Sequence, residues 1–281
     1  MHTVISDGVL SMSDHISASY ETRKASPQTI ADIFGSSWKA QLPGGLKSGS
    51  DLLFNDSRPS WFNSIVPGGI LYKSVLELGP FEGYQTYLLD RLGASEIVSV
   101  EGNNINFLKC LCAKEILKIR ASFKHGNIME ELREPGRTYD VLWASGVLYH
   151  MEDPIAFIEH ACKTAPIIYI WTHFFDDDVM KSMLNENKTK FLPDFNRSVD
   201  YDGRRLLLHA RTYGIKNYDE NIPLYWEGAP QDLTYWLSLD DIRHIFLVNG
   251  FEIRHTEFIG DMQGVPVASF AAFRNHKQGL S

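Results

Sequence analysis

The chain has 281 residues, 44% of them apolar, with 27 basic against 35 acidic side chains and a formal net charge of −8. That length and apolar share suit one α/β domain with additions and exclude a disordered or fibrous chain. The acidic balance excludes a broadly basic polyanion-binding surface while leaving room for a local basic patch. Three cysteines, Cys110, Cys112 and Cys162, give no disulfide framework and are expected to be core thiols. No signal-like segment opens the chain and no apolar run approaches membrane-spanning length, so a soluble, cytoplasmic protein without a membrane partner is expected.

Residues 1 to about 24 are polar and carry little periodicity. Ser26-Pro27 then predicts a helix start, with Ile30, Ile33 and Phe34 on one face. Leu52, Leu53, Phe54, Trp61, Phe62 and Ile65 need cover, so residues 1–66 are expected to flank the main domain as a lid. Asn55-Asp56-Ser57 predicts the cap of a helix holding Trp61. From residue 73 strands and helices alternate. Val75–Leu78, Ile97–Glu101, Ser122–His125, Asp140–Ala144 and Ile167–Thr172 read as strands. Glu82–Leu92, a segment capped by Asn103 with Ile105, Leu108, Cys112, Ile116 and Ile119 on one face, and Pro154–Cys162 read as helices. Such alternation predicts a parallel sheet covered on both faces, with ligands outside the carboxyl ends of its strands.

Residues 174–236 break the rhythm and are expected to form an inserted substrate cap, with a hairpin around Tyr201–Tyr213. Asp176-Asp177-Asp178 reads as a solvated acidic turn, and no metal site is expected. Arg204, Arg205 and Arg211 admit two readings, an anionic acceptor or plain surface charge. Ser238 then starts a helix with Ile242, Ile245, Phe246 and Val248, ended by Gly250, and Phe251–Ile259 and Val265–Phe273 read as two closing strands. The core is therefore expected to comprise residues 67–173 and 237–281.

The stretch that carries chemistry is Glu77-Leu78-Gly79-Pro80-Phe81-Glu82-Gly83. Glycine has no Cβ to keep a ligand from the main chain, and the following helix start offers unpaired N–H groups. Glu101 ends the second strand 22 residues after Gly79, the spacing of a ribose-clamping acid in a nucleotide-binding βαβ unit. The middle glycine of a dinucleotide fingerprint is replaced by Phe81, which disfavours a nicotinamide oxidoreductase.

Glu77-x-Gly79-x-x-x-Gly83 resembles motif I of the class I S-adenosylmethionine-dependent methyltransferases, and the likeness extends through Glu101, Gly126-Asn127-Ile128 and Tyr139–His150. Gly146-Val147-Leu148-Tyr149-His150 most resembles the subgroup of the tRNA wobble-uridine carboxymethyl transferase, as does Ser57–Phe62. The resemblance implies a Rossmann-like sheet of seven strands with the last antiparallel, and S-adenosyl-L-methionine as cofactor. It implies that Gly79, Pro80 and Gly83 let the main chain approach the methionyl moiety, whose ammonium Glu77 holds unless Glu77 only ties down the loop. Glu101, with Gly102 beside it, would bind the ribose hydroxyls, and Asn127 and Ile128 would meet the adenine unless Asn127 is a plain turn residue. Ser145 would lie beside the transferred methyl, and Trp61, Tyr149 and Trp171 would wall the donor or acceptor or merely fill the core. His150 and His173 are candidate bases, each also readable as a structural histidine.

The expected activity is O-methylation of a small polar metabolite, a sugar or natural product. The first alternative is a tRNA-modifying methyl or carboxymethyl transferase of the same fold, against which stand the acidic balance and Met151-Glu152-Asp153. The second is a non-catalytic donor-binding module. The oligomeric state is left open, a homodimer included.

Overall fold

The structure is a computed structural model that describes residues 20–134, 136–182, 190–213, 231–262 and 265–275. The opening polar stretch up to residue 19 and parts of the expected cap, 183–189 and 214–230, lie outside the described residues. The strands are β1 Ser74–Leu78, β2 Glu96–Glu101, β3 Ser122–His125, β4 Val141–Ser145, β5 Ile167–His173, β6 Arg197–Tyr201, β7 Arg204–Thr212, β8 Leu233–Trp236, β9 Phe251–Met262 and β10 Val265–Arg274. The helices are α1 Pro27–Ala31, α2 Arg58–Ile65, α3 Tyr84–Arg91, α4 Asn104–Leu117, α5 Ile128–Arg133, α6 Pro154–Thr164, α7 Asp177–Ser182 and α8 Leu239–Val248.

Seven strands form one sheet in the order β3-β2-β1-β4-β5-β10-β9. β1 to β5 pair in parallel, and β10 runs antiparallel between β5 and β9. The strand order reverses between β1 and β4, which opens a crevice beyond their carboxyl ends. This is the expected Rossmann-like sheet with its last strand reversed.

Side chains alternate between the two faces of a strand, so the sheet divides two cores. Leu76, Leu78, Val98, Val100, Leu142, Ala144, Ile168 and Ile170 face the layer of α5, α6 and α8. Val75, Ile97, Val141, Trp143 and Tyr169 face the other core, shared with Ala31, Trp38, Phe54 and Phe62 of the N-terminal segment. Ser99, Glu77, Trp143 and Tyr169 stand in register across four strands on this second face. The Trp143 and Tyr169 rings stack at 3.8 Å. A row of polar and aromatic groups therefore runs beneath the crevice.

β6, β7 and β8 form a separate antiparallel sheet. The hairpin begins at Arg197, earlier than the sequence reading placed it, and turns at Asp202-Gly203, both at positive φ (44° and 77°). Asp-Gly is the natural pair for that two-residue turn. Leu206, Leu208 and Ala210 of β7 enter the first core, so His209 and Arg211 face the other way. β8 docks on the loop after β4: Tyr235 N–H donates to Met151 O (3.0 Å), Trp236 Nε1 to Tyr149 O (3.1 Å) and Gln231 Nε2 to His150 O (3.1 Å). These bonds set the small sheet over the β4–β5 edge of the large one.

Candidate active site

Glu77 is buried on the second face of β1. Its Oε2 accepts from Thr86 Oγ1 (2.5 Å) and Ser99 Oγ (2.6 Å), while Oε1 is buried without a hydrogen-bond partner among the described residues. Burial pushes its carboxyl up to about 7. Glu101, one register step from Ser99, accepts from Phe81 N–H (3.0 Å) and Asn103 N–H (2.8 Å), and burial pushes it up to about 7 as well. Two carboxylates thus flank the crevice. One keeps an orphaned oxygen and the other has both oxygens anchored by main chain with lone pairs to spare.

The turn between them is held in left-handed backbone. Gly79 has φ +68°, and a Cβ there would lie 2.9 Å from Val147 Cγ2, so only glycine fits. Phe81 adopts φ 58°, glycine's conformation without glycine, secured by its bond to Glu101. Gly83 is the left-handed N-cap of α3 at φ +78°, and a Cβ there would point at Phe123, Ala113 and Cys110. Its N–H is engaged by Pro80 O (2.8 Å). Gly83 therefore answers a backbone requirement, and its Cβ side faces protein atoms. The Asn127 Oδ1 caps α5, accepting from Met129 N–H (2.8 Å) and Glu130 N–H (3.3 Å), and Ile128 is the first residue of that helix. Gly102 is exposed, beside Gly126 O at the adjoining strand end.

Sequence reasoning missed the polar cluster above β4. Asp56 accepts from Arg58 (Nη2, 2.6 Å) and Gln85 Nε2 (2.6 Å). Arg58 Nη1 donates to Ser145 Oγ (3.0 Å), and its guanidinium lies 5.2 Å over the Trp171 ring. Gln85 Oε1 accepts from Trp143 Nε1 (2.9 Å). Trp61, one turn beyond Arg58, packs edge-on against Tyr169. Nothing in the local pattern pairs residues as distant as 56, 85 and 145.

A second missed feature anchors the turn from behind. Glu82 and Lys109 form a fully buried ion pair (2.7 Å). Lys109 Nζ also donates to Ser37 O (2.5 Å), and Glu82 accepts from Lys39 N–H (3.0 Å) and Ala40 N–H (2.8 Å). The N-terminal segment is thereby tied to the crevice turn.

Across the crevice the groups are aromatic. Tyr149 lies 4.7 Å from His173, 6.1 Å from Trp171 and 5.9 Å from Trp236, centroid to centroid. His173 stacks on Trp236 (5.4 Å, 4°). Its Nδ1 bonds Pro266 O (3.0 Å), a carbonyl that can only accept, so Nδ1 carries the proton and Nε2 the lone pair. Burial, helped by the Arg211 cation, lowers His173 to about 4 and His150 to about 3. Both rings are neutral at ordinary pH. His150 is nearly enclosed, with Nδ1 hydrogen-bonded to Tyr213 Oη. Asp176 caps α7 through Asp178 N–H (2.9 Å) and Val179 N–H (3.0 Å). Among the described residues no three His, Cys, Asp or Glu side chains converge to hold a metal, and no helix is long and apolar enough to cross a membrane.

A reversed-last-strand sheet, a left-handed glycine turn after β1 and an acid closing β2 define a class I S-adenosylmethionine-dependent methyltransferase fold. Residues 50–256 match the family model described as a methyltransferase domain, and the chain belongs to that family. It is 24% identical over 178 residues to a tRNA U34 carboxymethyltransferase of Campylobacter hominis, a match spanning 60% of each chain. A tRNA U34 carboxymethyltransferase of Alteromonas mediterranea is 28% identical over 31% of this chain and 27% of that one. Among solved structures, the N-terminal domain of EvdMO1, crystallised with S-adenosylhomocysteine and D-fucose, superposes with a TM-score of 0.62 at 19% identity, over 84% of this chain and 90% of that one. Magnesium protoporphyrin IX methyltransferase from Synechocystis, with S-adenosylhomocysteine bound, reaches 0.52 at 18% identity over 78% and 81%. S-adenosylmethionine is the methyl donor of this family. The orphaned Glu77 Oε1, the Gly79 cradle and the anchored Glu101 carboxylate suit a cationic nucleoside.

Proposed function

We propose that the chain O-methylates a small polar metabolite, with the donor lying over Gly79 and Pro80 between Glu77 and Glu101. In this reading Glu77 Oε1 faces the methionyl ammonium and Glu101 takes the ribose hydroxyls, each a charge-assisted contact. Gly102, Asn127 and Ile128 border the base, and Trp61 backs the sheet face below the methionyl end. Ser145, at the open end of β4, borders the reacting centre. Residues 174–236 act as the acceptor cap on a core of 67–173 and 237–281, flanked by 1–66.

The observation that supports this reading best is His173: half-buried at the end of β5, with Nδ1–H fixed on Pro266 O and Nε2 left as a lone pair. When bound, the donor supplies a methyl group on a sulfonium, already strongly electrophilic. His173 Nε2 would take the acceptor's hydroxyl proton as the acceptor oxygen receives the methyl group that the donor would supply. Holding the two reactants in line supplies most of the remaining gain. His150, enclosed and bonded to Tyr213, fastens the cap to the β4 loop. D-fucose in the EvdMO1 crystal supports a small acceptor at this fold.

The second reading, transfer to tRNA, is favoured by the two curated relatives, although this chain spans only about 60% of the first. Labelled methyl from S-adenosylmethionine in a fractionated cell extract separates the two. Label in the small-molecule fraction supports O-methylation, and label in RNA that fades steeply with salt supports tRNA. Tight donor binding with no transfer to any fraction would favour a non-catalytic module.

A further inference from the structure

The three arginines of the β6–β7 hairpin region have different settings. Arg204 is paired with Asp241 (2.8 Å), and Arg205 is exposed. Arg211 sits on the face of β7 opposite Leu206, Leu208 and Ala210, half-buried. Its guanidinium carbon lies 4.9 Å over the Tyr213 ring and 5.1 Å over that of Trp236, the diagonal partner on β8. Among the described residues no carboxylate lies within ion-pair distance of it. The titratable rings around it, His150 and His173, are neutral. The result is a cation fixed by aromatic faces, one of which, Trp236, also stacks on His173.

A half-buried cation without a counter-ion among the described residues is costly, and the cost is offset when an anion arrives. Arginine's planar fork suits a planar bidentate anion. The rings beside it, Tyr213 and Trp236, are flat, and Trp236 is flanked in turn by Tyr149 and His173, which favours a flat ligand over a puckered one.

We propose that Arg211 is the docking point for an anionic group on the acceptor, and that the acceptor is a planar, unsaturated anion rather than a neutral sugar. This rests on the small-molecule reading above and narrows it. The anionic group and the methylated hydroxyl are different groups, so the product keeps its charge.

Benzoate, with benzamide as its neutral counterpart, probes the site in the full chain saturated with S-adenosylhomocysteine. Benzoate binds the wild-type chain in ligand-observed NMR and benzamide does not; Arg211→Gln weakens benzoate by at least about tenfold, Arg211→Lys by less, and neither changes S-adenosylhomocysteine affinity. Equal binding of benzoate and benzamide, or benzoate binding untouched in Arg211→Gln, overturns the inference. If Arg211→Gln fails to fold, Arg211→Lys and the benzoate–benzamide comparison on the wild-type chain decide. In the extract assay, labelled small molecules retained on an anion exchanger support the proposal. Labelled small molecules that pass through unretained overturn it while the small-molecule reading stands, and label confined to nuclease-sensitive RNA overturns both.

Discussion

The proposed donor and acceptor halves of the candidate site are built from different material. The donor half is carboxylate and main chain: Glu77 and Glu101 are buried on one sheet face, and the turn between them is set by left-handed backbone. The acceptor half is ring on ring, Tyr149, Trp171, His173 and Trp236, with few hydrogen bonds and neutral histidines. The donor half sits on a continuous sheet, whereas β8 of the acceptor half is fastened to the β4 loop by a handful of bonds. The contrast separates a part whose geometry lies in the backbone, and so serves one ligand, from a part whose geometry lies in replaceable side chains. A fold that hosts many acceptors needs that division.

The largest effect expected is on the anchor beneath the donor half. Lys109→Met leaves Glu82 buried without its partner and should cost about 3–5 kcal/mol of stability, read from denaturant unfolding. The double variant Glu82→Leu/Lys109→Met should lose less, because no lone charge is left. A Lys109→Met chain as stable as wild type would break the picture of a donor half braced by this pair. On the other side, His173→Ala should reduce turnover by about a hundredfold or more while leaving S-adenosylhomocysteine affinity unchanged. Unchanged turnover would remove His173 from the proton path. Glu101→Ala should weaken donor binding by at least about tenfold by calorimetry, and wild-type affinity would refute the ribose assignment.

The same division decides what the sequence could disclose. Strand and helix periods gave the large sheet nearly to the residue, because both faces of its central strands are buried and register follows the apolar run. Glu77, Gly79 and Glu101 were legible because the turn and the strand end are local in sequence. The capping bond of Asn127 has its signal in Glu130 three residues on, and the hairpin was placed too late although Asp202-Gly203 marks its turn. The Asp56–Arg58–Gln85–Ser145 cluster and the Glu82–Lys109 pair were illegible because each joins residues from separate elements, and no period in the chain encodes that pairing. Arg211 was visible as a candidate, but only β7 and β8 side by side distinguish it from Arg204 and Arg205.

The smallest effect per step is a slope with pH, and it divides the halves directly. Burial raises Glu77 and Glu101 from an ordinary 4.5 to about 7, so the folded chain binds protons that the unfolded chain has released. Stability from this source is fully present below about 4.5 and is lost as pH rises through about 7, at no more than about 1.4 kcal/mol per pH unit for each group. The melting temperature of the donor-free chain should therefore decline between pH 5 and 8, and less so in Glu101→Gln. A bound cation prefers the ionised carboxylates, so the stabilisation given by S-adenosylmethionine should grow across that window as the bare chain weakens. The acceptor half should be silent there. His173 is lowered to about 4, so its neutral ring is ready throughout, and turnover at saturating donor should lose activity only as pH falls toward 4. An acid limb near 6.5 would mean that the aromatic chamber admits water freely to His173, and the contrast between the halves would fail on that side.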